Sequence, residues 1–375
     1  MTQGVYKMLS RKNFTVYCCY DVILCPFIMS QINSDNIQSQ NSNPSWIQIV
    51  SKYNKPDTLK SIWQIINSLG PYILLWYLMY LSMGISYWIT IGLAFIASGF
   101  LVRMFIIFHD CGHGSFFKSR RANKIVGTIL GSLVFTPYDR WHLDHAMHHS
   151  TVGNLDKRGN GDVWTLTVEE YKKLSTAKKI EYRLYRNPII LFLIAPFLLF
   201  VVWFRFPKKG MSRSEHMSVY ITDLILVAFG TGISLLIGFK AFLLIQLPIA
   251  YIATSAGVWL FYVQHQYEDV IWSRHEDWDY RKMALEGSSF LKFPKLLQWF
   301  SGNIGFHHIH HLSPKIPNYN LERCHKENEM FESIKPVTFV PSMRTMRLRL
   351  WDENLKKLIS FKEFKNSLKQ PYFSA

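Results

Sequence analysis

The sequence predicts an all-α integral membrane protein: four transmembrane helices in two hairpins, with interfacial helices and a cytoplasmic helical cap that holds clustered histidines. Three observations lead there. Apolar runs at 65–83, 85–108, 221–237 and 241–262 have the length of membrane spans, for which about 17–25 residues suffice. Basic residues flank the outer ends of the first hairpin and are absent from its turn. Histidines gather just beyond the ends of the spans rather than scattering along the chain.

Composition supports the class. Of 375 residues, 49% are hydrophobic and 15% aromatic, but only 18% are charged, against about 25% in an average soluble domain. The mean hydropathy of +0.04 averages long apolar runs with strongly polar loops. The formal charge is +16, yet no basic cluster sits on a soluble module, which argues against nucleic-acid binding. Basic loops facing anionic lipid headgroups explain the bias better, and an acidic electron-donor protein can use the same surface. Five cysteines (Cys18, Cys19, Cys25, Cys111, Cys324) contain no C-x-x-C pair, so neither a disulfide framework nor a cysteine-rich zinc site is expected.

Along the chain, residues 1–55 read as a variable, disordered extension outside the catalytic body, which occupies 56–375. The stretch 14–29 is apolar but short and carries Asp21 and Pro26. The stretch 30–45 is rich in Ser, Asn and Gln, a composition that resists folding. The first hairpin follows. Lys55 and Lys60 precede it, Lys118, Arg120 and Arg121 follow it, and its turn at 82–86 has no Lys or Arg. The positive-inside rule then puts both outer ends in the cytoplasm. Residues 125–135 are apolar but too few to cross, and are assigned to the interface. Residues 139–187 are polar and cytoplasmic. The run 188–206 has the length of a span, but Arg183 and Arg186 precede it, Arg205, Lys208 and Lys209 follow it, and Pro196 interrupts it. It is therefore read as re-entrant or interfacial. The second hairpin turns at 238–240, and residues 263–375 form the cap.

The chemistry lies in the histidines. His109 and His113 form H-x3-H at the end of the second span; His145, His148 and His149 form H-x2-H-H; His307, His310 and His311 repeat that spacing; His265 stands alone after the last span. Residues three and four apart share a helix face, so each triplet presents a three-imidazole prong and the pair presents two. Two prongs, a pair and a single make nine nitrogens, too many for one metal and suited to two. Imidazole serves Fe, Zn, Cu and Ni alike. Two adjacent redox-active irons are what attack of O₂ on an unactivated C–H bond would want. Ionisable groups at membrane boundaries are costly and usually functional. His142 and His308 are left out of the set, the latter because it points away from His307, His310 and His311 on a helix. His216, His275 and His325 read as isolated surface residues. Asp110, Asp144, Asp162, Glu268 and Asp269 are candidates to orient ligating rings, as is Asn303. Gly112 and Gly114 either permit close helix approach or, at Gly114, end the helix.

The histidine strings, together with Ile106-Ile107-Phe108-His109-Asp110-Cys111, Asn154-Leu155-Asp156-Lys157-Arg158-Gly159, Trp259-Leu260-Phe261-Tyr262-Val263-Gln264-His265, Glu286-Gly287-Ser288-Ser289-Phe290 and His310-His311-Leu312-Ser313-Pro314-Lys315, resemble the membrane fatty-acid desaturase family over about residues 58–362. The likeness is greater to bacterial acyl-lipid desaturases of the Bacillus type, which act at the delta-5 position of phospholipid acyl chains. The resemblance implies a di-iron centre on the cytoplasmic side of the plasma membrane, ligated by His109, His113, His145, His148, His149, His265, His307, His310 and His311. It also implies a cis double bond formed with O₂ as co-substrate. Phe261 stands where some members have an Asn that holds a metal-bound water, so that detail is not carried over. The chain has no haem-binding His-Pro-Gly-Gly string, no iron–sulfur cysteine pattern and no dinucleotide fingerprint, so a separate ferredoxin or flavodoxin is the expected electron donor. Delta-12, omega-3 or delta-9 desaturation is the alternative regiochemistry. Lipid, alkane or carotenoid hydroxylation is the alternative reaction of the same centre. An apolar tunnel from the membrane interface to the histidines is expected.

Overall fold

The computed structural model describes residues 45–159 and 161–369; the expectations for 1–44 lie outside the described residues. Helix α1 (Thr58–Ser82) begins at Asp57, whose carboxylate accepts hydrogen bonds from the Leu59 and Lys60 amides, satisfying donors that a helix start leaves open. It packs along α2 (Tyr87–His113). After α3 (Arg120–Leu133) and the histidine-bearing α4 (Tyr138–Thr151), α5 (Arg213–Ile237) starts in a capping box between Ser212 and Glu215 and packs on α6 (Phe239–His265). These four long helices are long and apolar enough to cross a membrane. Leu224, Val227, Leu235 and Leu236 of α5 are largely exposed, as expected of a face turned to lipid.

Each helix is longer than its apolar run. At the ends that bear histidines, α2 runs on to His113 and α6 to His265, so a helix apolar enough to span also carries ligand-type side chains on its last turns. Gly114 stops α2 with φ +64, a left-handed cap that glycine adopts at little cost.

The run 188–206 is an irregular helix. π-turns at Ile190–Ile194 and Leu198–Val202 flank Ala195–Phe197, and the whole lies at 53° to the preceding helix Thr176–Tyr185. Pro196 has no amide to donate and disrupts the regular ladder there. Two of its flanking charges, Arg186 and Arg205, are taken up inside the protein, while Arg183, Lys208 and Lys209 are exposed. Arg186 is fully buried and donates to the Trp164 and Leu348 carbonyls, Tyr262 and Gln266. Arg205 pairs with Asp223 at 2.8 Å.

The cap is not wholly helical. β1 (Leu166–Thr167), β4 (Leu348–Asp352) and β5 (Lys357–Ser360) form one small sheet, ordered β1-β4-β5, and β2 (Phe290–Lys292) pairs in parallel with β3 (Pro336–Thr338). Helices α7 (His307–Leu312) and α8 (Asn318–Lys326) complete it. The folded body also begins earlier than residue 56: Trp46–Ser51 is helical, and the Tyr53 hydroxyl donates to Glu327 at 2.8 Å.

Candidate metal centre

Four helices converge on one point. The last turn of α2 supplies His109 and His113, α4 supplies His145, His148 and His149, the end of α6 supplies His265, and α7 supplies His307, His310 and His311. Local packing fixes each helix. Gly127 of α3 leaves room for the Tyr138 ring, where an added Cβ would overlap it, and the Tyr138 hydroxyl donates to the Cys111 carbonyl at 2.7 Å. That ties the start of α4 to the histidine turn of α2. A Cβ on Gly112 would meet Trp141 at 3.0 Å, so the missing side chain lets Trp141 close in and stack on His145, ring centroids 4.3 Å apart. Tyr280 holds α7 through the His311 carbonyl at 2.7 Å.

The nine rings fall into two sets. His109, His113, His145, His149 and His310 each place a nitrogen within 4.8 Å of the others, and His148, His265 and His311 do the same. His307 joins the second set, its Nε2 2.9 Å from that of His265 and 3.1 Å from that of His311. Within the first set the His149 Nε2 lies 3.1 Å from that of His145 and 3.0 Å from that of His310. Two imidazoles bound to one ion at about 2.0–2.1 Å and about 90° to each other place their nitrogens about 3 Å apart. The observed spacings match that geometry.

Tautomers decide what these contacts are. The His148 Nδ1 lies 2.6 Å from Asp162 Oδ1, and the His265 Nδ1 lies 3.4 Å from the Gly287 carbonyl. Both Nδ1 atoms face acceptors and so carry the protons. In the neutral rings both Nε2 atoms then present lone pairs, 3.1 Å apart. Two lone pairs at that distance repel unless a cation lies between them. His109 follows the same pattern, its Nδ1 3.1 Å from Asp110 Oδ1. Outside the spans, burial and then neighbouring imidazoles push His145, His149, His307, His310 and His311 well below the ordinary histidine range. They are neutral at physiological pH, the form in which imidazole ligates a metal.

Of the acids singled out in the sequence, Asp110 and Asp162 touch ligand-type rings and the others do not. Asp144 faces Lys208 at 3.7 Å, and Glu268 and Asp269 are exposed. Asn303 donates to the Asn318 carbonyl at 3.1 Å and reaches the cluster only through that residue. His142 lies parallel to Tyr138, ring centroids 6.3 Å apart, outside both sets. His308 turns away into a pocket with Phe290, His325 and Phe331. His325 is thus half-buried against His308 rather than a surface residue. His216 is likewise half-buried, beside Tyr220, and His275 is exposed but held by Asn154 at 3.1 Å. Asn318 and, beyond it, Gln64, which no motif flagged, stand behind Asp110. A cavity of about 630 Å³ lined by Tyr87, Phe197, Leu243, Leu247 and Tyr251 and another of about 420 Å³ lined by Lys124, Asp139, Arg213 and Met217 have none of the nine histidines in their walls. Neither is the expected tunnel.

A family profile described as "Fatty acid desaturase" matches residues 85–336, which span all three histidine clusters and His265. The chain belongs to that family. It is 49% identical over 317 residues to a protein of Bacillus subtilis (strain 168) named "Fatty acid desaturase", covering 84% of this chain and 90% of that one. It is 31% identical over 267 residues to the chloroplastic "Omega-3 fatty acid desaturase" of Brassica napus, covering 67% of this chain and 60% of that one. It is 30% identical over 272 residues to the "sn-1 acyl-lipid omega-3 desaturase (ferredoxin)" of Nostoc sp. (strain 36), covering 67% of each. The protein is a fatty acid desaturase, an oxidoreductase whose four apolar helices associate it with a membrane.

Proposed function

We propose that this desaturase holds two irons in the two histidine sets and uses O₂ to introduce a cis double bond at delta-5 of acyl chains in membrane phospholipids. The observation that carries the metal reading is the pair of Nε2 lone pairs of His148 and His265, 3.1 Å apart and both fixed by acceptors behind them. The donor set fits two ions: His109, His113, His145, His149 and His310 would hold one, and His148, His265, His307 and His311 the other. Bound there, iron would supply the oxidising power for removing two hydrogens from –CH₂–CH₂–, and those two hydrogens together with one O₂, two electrons and two protons become two waters.

The chain's own residues do the rest. Asp110, Asp162 and the Gly287 carbonyl keep Nδ1 protonated on His109, His148 and His265, so that Nε2 faces inward. Trp141 on His145, and Phe261 with its ring 5.2 Å from His148 and 5.1 Å from His265, wall the cluster with apolar surface and exclude water. Basic flanks of the first two spans favour a plasma-membrane orientation with the cluster on the cytoplasmic side. A reduced ferredoxin or flavodoxin would dock there. Exposed Lys172, Lys173, Lys362 and Lys365 lie on helices packed together through Tyr171, Phe361 and Phe364 and offer an acidic donor a basic face. The Nostoc relative's name includes ferredoxin. Omega-3 placement is the second reading, favoured by the names of the Brassica and Nostoc proteins.

The test is iron analysis of the purified protein beside turnover with reduced ferredoxin and O₂. Two irons per chain and an O₂-dependent alkene support the proposal. A chain that turns over with zinc alone, or without O₂, defeats it.

A further inference from the structure

Behind Asp110 lies a closed set of hydrogen bonds that joins three distant segments. Asp110 Oδ2 accepts from the Asn318 backbone amide at 2.7 Å and from the Asn318 Nδ2 at 2.8 Å. The Asn318 Oδ1 accepts from Gln64 Nε2 at 2.7 Å, and Asn318 Nδ2 also donates to Gln64 Oε1 at 3.2 Å. The Asn318 carbonyl accepts from Asn303 at 3.1 Å. Asn318 and Asp110 are buried, as is Gln64, so each of these polar groups must find its partner inside the protein.

The direction of the network follows from its chemistry. Asp110 is acceptor-only when ionised, so the amide of Asn318 must turn its NH₂ toward it. With two donors on Oδ2, the carboxylate keeps Oδ1 free for the His109 Nδ1–H, 3.1 Å away. That fixes the His109 tautomer and leaves Nε2 bare toward the first histidine set. Gln64 in turn fixes the orientation of Asn318. The α8 start is held in place on α1 by its neighbour as well: the Tyr319 hydroxyl accepts from the Asp57 amide at 2.8 Å.

We infer that Asn318, oriented by Gln64, is a positioning residue for His109. Through Asp110 it sets the ring's tautomer and so the hold of the His109, His113, His145, His149 and His310 set on its metal. This rests on the metal reading proposed above. It adds a role for α1 and α8, neither of which supplies a ligand. Orienting partners of this kind typically change metal affinity by about 10–100-fold.

The experiment loads the purified full-length protein with Fe(II), adds a chelator in excess, and follows iron release in the parent, Asn318→Ala, Asn318→Asp and Gln64→Leu. In Asn318→Ala one of the two irons is expected to leave about 10–100-fold faster, with the other leaving at the parent rate. Asn318→Asp keeps the volume but puts an acceptor where Asp110 needs a donor, so it is expected to release that iron at least as fast as Asn318→Ala. A role in packing alone predicts the reverse order, and that order overturns the inference. Gln64→Leu leaves Asp110 and its donors in place and is expected to act in the same direction but less. Should Asn318→Ala fail to fold, parent-like release from Gln64→Leu and Asn318→Asp overturns the inference. A parent that retains fewer than two irons overturns the di-iron reading itself, whereas two firmly held irons with unchanged release in every variant overturn only the role of Asn318.

Discussion

His148 and His265, 117 residues apart in the chain, bring their Nε2 atoms to 3.1 Å, lone pair against lone pair when both rings are neutral. Each has its Nδ1 on an acceptor, Asp162 in one case and the Gly287 carbonyl in the other. Removing one of the two relieves the repulsion in the metal-free protein and deletes a ligand in the loaded one. His265→Ala is therefore expected to keep or raise the melting temperature of the apoprotein, to lose the iron of the second set, and to lower turnover by more than about 100-fold, beyond what loss of an orienting partner costs. Iron content, melting temperature and turnover on the same preparation check it.

Asp162 reaches the cluster from a loop, and its carboxylate splits in two. Oδ1 meets His148 at 2.6 Å, while Oδ2 is buried without a partner among the described residues. Asp162→Asn can keep an acceptor on His148 only by placing its NH₂ where Oδ2 now sits, at a cost of about 1–3 kcal/mol for a buried unsatisfied donor. Asp162→Asn is expected to lower turnover about 10-fold and Asp162→Ala about 100-fold, both with faster loss of iron from the second set. Equal turnover in all three proteins contradicts the role assigned to the loop.

Gly127 is where α3 receives the Tyr138 ring that ties α4 to α2. Gly127→Ala overpacks this contact, which typically costs about 1–3 kcal/mol. Gly92, exposed on α2 with nothing within 4 Å of an added Cβ, is the control. Thermal unfolding in detergent is expected to show Gly127→Ala lowered and Gly92→Ala unchanged or raised, since alanine favours a helix over glycine.

Glu322 links α8 to the helix Lys295–Phe300 through Lys295 at 2.5 Å and also binds Lys326 at 2.7 Å. Burial alone would raise its carboxyl, but hydrogen bonds from Lys295 and Lys326 outweigh that and bring it down to about 2, from an ordinary 4.5. A folded-state value below the unfolded one contributes stability at pH above about 4.5, and that contribution is lost as pH falls toward 2. Glu322→Gln is expected to be less stable than the parent at neutral pH, with the difference closing as pH drops through that window. Melting curves at stepped pH measure it, and a difference that stays constant with pH contradicts it.

The parts of this molecule legible in the sequence are those set by local periodicity. Apolar run length marks the four long helices, and the spacing of three and four residues groups His307, His310 and His311 while turning His308 away. What the sequence hides is decided by contacts between distant segments. β1 and β4 are strands of two and five residues, and Leu166 pairs with Leu350; alone, either stretch reads as a loop. Asp110 and Asp162 could not be separated from Asp144, Glu268 and Asp269, because closeness to a histidine in sequence does not say which acid faces it. Arg186 reads as a headgroup charge until the fold shows it buried among carbonyls of the cap. Gln64 carries no motif at all.

The most direct measurement is product analysis. The protein is expressed at low temperature, with a reduced ferredoxin or flavodoxin available, in a bacterium that makes no unsaturated acyl chains. Double bonds in its phospholipids are located by mass spectrometry, beside a His148→Ala twin. A cis alkene at delta-5, present with the parent and absent with the twin, is the predicted result. Saturated or hydroxylated lipids from folded, iron-loaded protein would contradict the proposed reaction, and an alkene at another position would contradict its proposed site.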